Sequence, residues 1–558
     1  MRILPLIAAL TFVAAAPVAN AKTAVTFNQG DRIAASLGDY LSARFAAGNH
    51  DYAEAAKLYQ QSLSRDPDNP DLLTYAFFYS ASSGKMDDAA QLAERLVAMA
   101  PDDRAARMTL AVAAMKKHDY KRAREEIAKS AKGPFTSFTV ALIDGWAAAG
   151  AGEAAAARAD FKQLHAQKSA DGLAYFNEAM LAELLGDKTA ANAAYLAAIE
   201  ASGPTPRVIE AYGKFLERSG QGAEAKKLYE RASDENGYTI VTAPGLARIA
   251  AGQIPEAFAP RAEDGAAEAL FGIASSLNDE TNRDLSVLYL QLALHLNPKL
   301  DLATILLANR CESLGKFEDA IAAYERVQPS SPFHRITEVA VAVDYARLDK
   351  NNEAIARLQK LAAEFPNDLE TWTALGDSYR AAKRYDDAVN AYNHALASLG
   401  APSKKSWPLL YARAVAEQET GNWEKAEVDL QAALKLSPNE PDLLNFLGYS
   451  WVDQKKNVKE ALAMLEKARA LSPQNGYIID SVGWAYYRLG RFDEAADALE
   501  DAVQLVPSDP TINDHLGDAY WKLGRKLDAT FQWSHALAFG PDPGEKAKIE
   551  KKLKTAEQ

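Results

Sequence analysis

The sequence predicts an all-α solenoid built from helix–turn–helix repeats, and three observations predict it. Small residues recur every 34 positions, a second small residue precedes each of them by twelve, and large residues and prolines follow at fixed offsets. The rungs of this ladder are Ala55, Ala89, Ala123, Ala157, Ala191 and Ala225. After an interval of 61 residues come Ser286, Ala320, Ala354 and Ala388, and then, with small insertions, Ala426, Ala461, Ala495 and Ala529. Twelve residues before the rungs stand Ala43, Ala111, Gly145, Ala179, Gly213, Ala274, Ala308, Ala342, Gly376, Ala414, Gly483 and Gly517. Gly448 fits with a one-residue insertion, and Phe77 is the large exception. Four residues after the rungs come Tyr59, Phe161, Tyr195, Tyr229, Tyr324, Tyr392 and Trp533. Twelve after come prolines such as Pro67, Pro101, Pro298, Pro366 and Pro507. A small residue on each of two helices lets the backbones approach, and a large residue one turn later fills the space beside that contact. The proline ends the second helix.

The N-terminus is read separately from the ladder. Met1-Arg2, an apolar stretch from Ile3 to Val18 and the small-x-small site Ala19-Asn20-Ala21 describe a secretory signal peptide over residues 1–21. The stretch is broken by Pro5 and Pro17 and is shorter than the ~20 residues a spanning helix needs. The expected mature chain begins at Lys22 and carries no integral membrane segment. The alanine-rich signal has a bacterial character, so the expected compartment is the periplasm.

The remaining elements follow in order. Residues 22–35 form a short leader, and 36–237 hold six repeats, an N-terminal lobe. The stretch 238–266 breaks the period with Pro244, Pro255 and Pro260 and reads as an irregular joint between two lobes, with a short helix around Leu246–Ala251. The alternative for this stretch is an eroded repeat that still stacks. Residues 267–543 hold eight repeats, a C-terminal lobe. The tail 544–558 carries Lys546, Lys548, Lys551, Lys552 and Lys554 and serves as a polar cap for the last repeat.

Segments such as Trp372, Leu375, Gly376, Tyr379, Ala388, Tyr392 and Ala395, and Leu447, Gly448, Ala461 and Pro473, resemble the tetratricopeptide repeat, a 34-residue helix–turn–helix. About fourteen such repeats cover most of the chain. The resemblance implies a right-handed superhelical solenoid that binds protein or peptide partners along a concave groove.

Composition excludes several other classes. The chain has 558 residues, of which 48% are apolar and 25% charged, so it is neither disordered nor membrane-embedded throughout. Its net charge of −13 repels phosphate backbones, so no nucleic acid is expected as a partner. The single cysteine, Cys311, permits neither an internal disulfide nor a Cys-rich zinc site. Nucleophile-elbow, phosphate-loop and dinucleotide motifs are missing, and no two of the eight histidines have the spacing of a His-Glu-x-x-His helix. His515 and His535 share one repeat and are read as packing or turn residues. The chain is therefore expected to be non-enzymatic, with no cofactor, no catalytic residues and no metal.

The resemblance also selects the positions on each first helix that face inward. In the N-terminal lobe these hold Phe78, Met108, Val112, Met115, Trp146, Phe176 and Met180, read mainly as packing. In the last three repeats, 441–543, they hold Asn445, Tyr449, Asp480, Trp484, Tyr487, Arg488, Asp514, Asp518, Trp521 and Lys522. Seven of the eight tryptophans lie between 372 and 533, and aromatics mixed with Arg and carboxylates suit a recognition surface. Acidic residues at Asp377, Asp480, Asp514 and Asp518 argue against a ligand that presents a terminal carboxylate. Similar exported repeat proteins imply an adaptor in cell-envelope assembly, with a peripheral association with the envelope. A second reading is a polysaccharide- or peptidoglycan-associated protein of a secretion system, in which the aromatic groove stacks sugars.

Overall fold

The computed structural model describes residues 29–556, apart from Lys132, Gln167 and Asn278. The expected signal peptide, residues 1–21, and the expected leader up to residue 28 lie outside the described residues. The described residues hold thirty α-helices and no strand. The first helix, Gln29–Gly48, takes in the last seven residues assigned above to the leader.

The ladder has a direct structural meaning. All fourteen rungs, from Ala55 to Ala529 and including Ser286, are fully buried. The small residue twelve positions earlier lies under the large residue four positions after the rung. A Cβ on Gly145 would stand 2.3 Å from Phe161, one on Gly213 2.2 Å from Tyr229, and one on Gly376 2.5 Å from Tyr392. Phe77 is explained by its partner. In that repeat the large position is Ala93, both residues are buried, and the two positions have exchanged sizes.

The polar tips of the large residues are also satisfied. Tyr195 donates to Glu183 at 2.9 Å, Tyr229 to Glu217 at 2.8 Å and Tyr392 to Asp377 at 2.7 Å. Each acid lies on the first helix of the same repeat. At the turn inside most repeats, five residues before the rung, one residue takes a left-handed backbone. Glycine usually supplies it, as at Gly84 and Gly490, but His50 and His118 hold the position in two repeats.

The chain divides into two compact halves, Met1–Ala303 and Thr304–Gln558. This differs from the expected division at 238–266. Within that stretch the helix Thr239–Ala250, longer than the short helix expected around Leu246–Ala251, packs on the two helices of the preceding repeat, Pro206–Arg218 and Gly222–Asn236. The stretch therefore begins as a repeat that has lost its second helix. The helix pair Ala262–Ser276 and Arg283–Leu296, assigned by its period to the C-terminal lobe, belongs to the first half.

That pair has the internal contact of any other repeat, with Ser286 Oγ donating to the Ala274 carbonyl at 2.8 Å. Its outer surroundings are different. Ala262–Ser276 packs on the first helices Pro134–Gly150 and Asp171–Leu184, and Arg283–Leu296 packs on the first helices Pro70–Ser82 and Arg104–Lys116. It lies across the inner face of the half instead of extending the stack. Met108, Val112, Met115, Trp146, Phe176 and Met180 are all buried, with Trp146 directly against Gly265.

Candidate functional site

The second half has no comparable hairpin on its first helices among the described residues. Its last three first helices are Pro441–Asp453, Gly476–Arg488 and Pro510–Lys522. Each starts with a first-turn proline, a side-chain cap or both. Pro441 and Pro510 occupy first-turn positions, while Asn475 and Asp509 accept hydrogen bonds from the opening N–H groups. Glycines 448, 483 and 517 press these helices against their partners, which fixes the faces that remain.

Trp484 is the centre of the arrangement. His515 stacks on its ring at 4.1 Å and 13°, and Tyr487 at 4.9 Å and 8°. The Arg488 guanidinium stands 5.5 Å from the same ring and donates to the Asp453 carbonyl at 3.0 Å. His515 Nδ1 lies 2.9 Å from Asp480 Oδ1. Burial opposes a charged ring at His515, but Asp480, backed by Asp514 and Asp518, outweighs it and raises the imidazole above its ordinary value. Tyr449 sits beside this group, where burial, Asp480 and Asp453 push its hydroxyl up to about 12. The Trp484 indole N–H and the Asn445 side-chain oxygen are enclosed without a hydrogen-bond partner among the described residues.

Asp514 and Asp518 do not face the groove as free carboxylates. Lys552, on the terminal helix Pro543–Ala556, reaches Asp514 at 2.8 Å and Asp518 at 2.7 Å. Asp518 also accepts from the Trp533 indole at 3.2 Å. The tail therefore caps the last repeat through a specific ion pair as well as through its polarity. Trp521 is half-buried against Trp533, with ring centres 5.5 Å apart, and Lys522 is exposed. His535 does not join His515; it lies between Phe531 and Phe539.

Sequence reasoning missed His515 as the residue that links Asp480 to Trp484. The available signal was its place two residues before Gly517, on the helix face that meets the preceding repeat. Further along the same half, the first helices His334–Arg347 and Leu369–Ala381 form an open concavity of about 700 Å³. Val339, Val343, Ala346 and Thr373 line it, with Arg347 and Arg380 among its polar groups.

No group of three or more His, Cys, Asp or Glu suited to a metal occurs among the described residues. The Cys311 thiol is pushed up to about 12 by burial and by Asp319, Glu312 and Asp344, so it is a poor nucleophile at neutral pH. No helix among the described residues is long and apolar enough to cross a membrane.

Stacked helix pairs with a row of half-buried side chains along their first helices define a helical-repeat interaction scaffold. The chain is a tetratricopeptide repeat protein. Residues 80–132, 341–403 and 411–476 match families described as tetratricopeptide repeat, and 483–524 match one described as TPR repeat. The TPR repeat-containing protein PA4667 of Pseudomonas aeruginosa is 27% identical over 183 residues, which cover 32% of this chain and 29% of that protein. The cytochrome c-type biogenesis protein CycH of Rhizobium meliloti is 34% identical over 127 residues, covering 22% of this chain and 32% of that protein. The chain thus spans about a third of the length of the curated relatives it matches. Among solved structures, the APC/C hetero-tetramer Cut9-Hcn1 aligns over 96% of this chain and 98% of that one, at 16% identity and a TM-score of 0.39.

Proposed function

We propose that the chain is a non-enzymatic scaffold of the bacterial periplasm that holds a protein or peptide partner along the inner helices of residues 441–543, in the service of cell-envelope assembly. The observation that carries this reading is the contrast between the halves: the inner face of the first is filled by its own helix pair, and among the described residues no such pair fills that of the second. Aromatic area from Tyr449, Trp484 and Tyr487, with donors from Arg488 and Lys522, suits a peptide or helix that brings apolar and polar groups together. The likeness over part of the chain to a protein named for cytochrome c biogenesis supports a role in assembly. The sugar-stacking reading is less well supported, because His515 and Tyr487 already take up much of the Trp484 ring surface.

Crosslinking and pull-down from a periplasmic fraction tests the proposal, with the parent chain compared against Lys522→Glu. Loss of one defined protein from the Lys522→Glu sample supports it; retention on peptidoglycan or exopolysaccharide with no protein captured overturns it. N-terminal sequencing of the same material should begin at Lys22, and an intact Met1 would remove the export step.

A further inference from the structure

We propose that the inner face of the first half is a recognition groove for an acidic helical hairpin, and that residues 262–296 occupy it as a ligand supplied in cis. In this state the groove is closed to other partners, and only a segment of like chemistry competes for it.

The grips on the hairpin recur in a way that ordinary core packing does not require. The triplet His50-Asp51-Tyr52 returns 68 residues later as His118-Asp119-Tyr120. Each histidine stands at the left-handed turn position, with φ of 52° and 59°, where most repeats use glycine. Each aspartate caps the helix that follows, accepting from Glu54 N or Arg122 N, so the turn is held in place. In both triplets the imidazole and the phenol converge on one carboxylate oxygen of the hairpin. His50 and Tyr52 meet Asp284 Oδ1 at 3.1 and 2.7 Å. His118 and Tyr120 meet Glu263 Oε1 at 2.8 and 2.5 Å.

A third acid, Glu268, is held by Arg207, which also bonds Glu210. Lys116 closes the far end of the hairpin by donating to the Leu296 carbonyl at 3.2 Å. Glu263, Asp264 and Glu268 are all at least 95% buried. Buried ion pairs are a poor way to gain stability, but they set register and partner identity. Gly265 against Trp146 and Gly272 against Leu173 let the hairpin backbone come close where any side chain would collide. The hairpin is also a separate element of the chain. The stack ends at Thr239–Ala250, and the irregular segment 251–261 leads away from it, with Phe258 wedged between Phe176 and Arg207.

The test leaves the groove intact and alters the resident ligand. In the full chain, Glu263→Lys, Glu268→Lys and Asp284→Lys are combined, and hydrogen exchange is measured with and without a labelled peptide of residues 258–298. The expected result is at least tenfold faster exchange across 262–296, with helices between 52 and 236 still protected. The peptide should bind this variant at least twentyfold more tightly than it binds the parent chain, and a peptide carrying the same three lysines should not bind. Loss of protection throughout the first half would show that the hairpin is core rather than ligand and would overturn the proposal. So would continued protection of the hairpin, or a freed groove that ignores the peptide. A milder groove-side variant, His118→Ala with Tyr120→Phe, must also speed exchange of the hairpin and must not bind the peptide more tightly than the parent does. Unchanged exchange in that variant counts against the grips.

Discussion

His515 and Asp480 form a buried pair, Nδ1 to Oδ1 at 2.9 Å, between the first helices of the last two repeats. Asp514, Asp518 and Lys552 are the other charged groups around the ring, and Trp484 lies flat against it. The pair raises the folded-state pKa of His515 above the ordinary 6.5. A raised histidine contributes stability that is fully present below the unfolded value and is lost as pH rises through the folded value. The melting temperature of the second half should therefore fall as pH increases from 6 upward through that range. His515→Gln should flatten this slope while costing about 1–3 kcal/mol at pH 6. An unchanged slope in the variant would place the titration elsewhere.

Asp344 gives a slope of different origin. Its side chain is fully buried, and the Arg347 guanidinium is 3.9 Å away. Burial, with Glu312 beside it, pushes this carboxyl up to about 7 from 3.8. The folded state thus prefers the neutral acid, and stability falls as pH rises from about 4 to about 7. Asp344→Asn should remove that fall and raise stability at pH 8 by roughly 1–3 kcal/mol, since no buried charge remains. Chemical denaturation at pH 5 and pH 8 measures both; a destabilised variant at pH 8 would mean that the carboxylate has a partner it needs.

The groove itself is best probed where fold and contact can be separated. Trp484 is packed among His515, Tyr487 and Arg488, so Trp484→Ala should lower the melting temperature as well as weaken partner binding by roughly 2 kcal/mol or more. Lys522 is exposed. Lys522→Glu should weaken binding while leaving the melting temperature within about a degree. Affinity measured on both variants distinguishes a recognition face from a packing seam: full affinity in Lys522→Glu, and loss in Trp484→Ala only in proportion to unfolding, points to the seam.

How much of this was legible in the sequence depends on what a period encodes. The 34-residue spacing records which helix packs on which inside a repeat, and all fourteen rungs are buried accordingly. It does not record which outer surface a repeat meets. Ala274 and Ser286 carry the same internal pattern as every other repeat, so the hairpin of 262–296 looked like one more step in the stack. The information lay instead in the repeated His-Asp-Tyr triplets and in Glu263 and Asp284, residues that a solvated face would also show. The inward positions selected at 441–543 fall on the first helices Pro441–Asp453, Gly476–Arg488 and Pro510–Lys522. The ion pairs that occupy Asp480, Asp514 and Asp518 come from His515 and Lys552, which that rule does not select.

The exchange of sizes between Phe77 and Ala93 allows the packing rule to be tested as a coupling. Phe77 fills, from the first helix, the space that a tyrosine, phenylalanine or leucine fills from the second helix elsewhere. Phe77→Gly should leave a cavity and cost about 3–5 kcal/mol. Ala93→Phe alone should overpack against Phe77 and cost about 1–3 kcal/mol. The double variant restores the arrangement of Gly145 with Phe161, so it should be more stable than the sum of the single losses by about 0.5–3 kcal/mol. Denaturation of the parent, both single variants and the double variant closes the cycle. Simple additivity would show that the two side chains do not share one space, and the reading of the ladder as paired small and large positions would fail at this repeat.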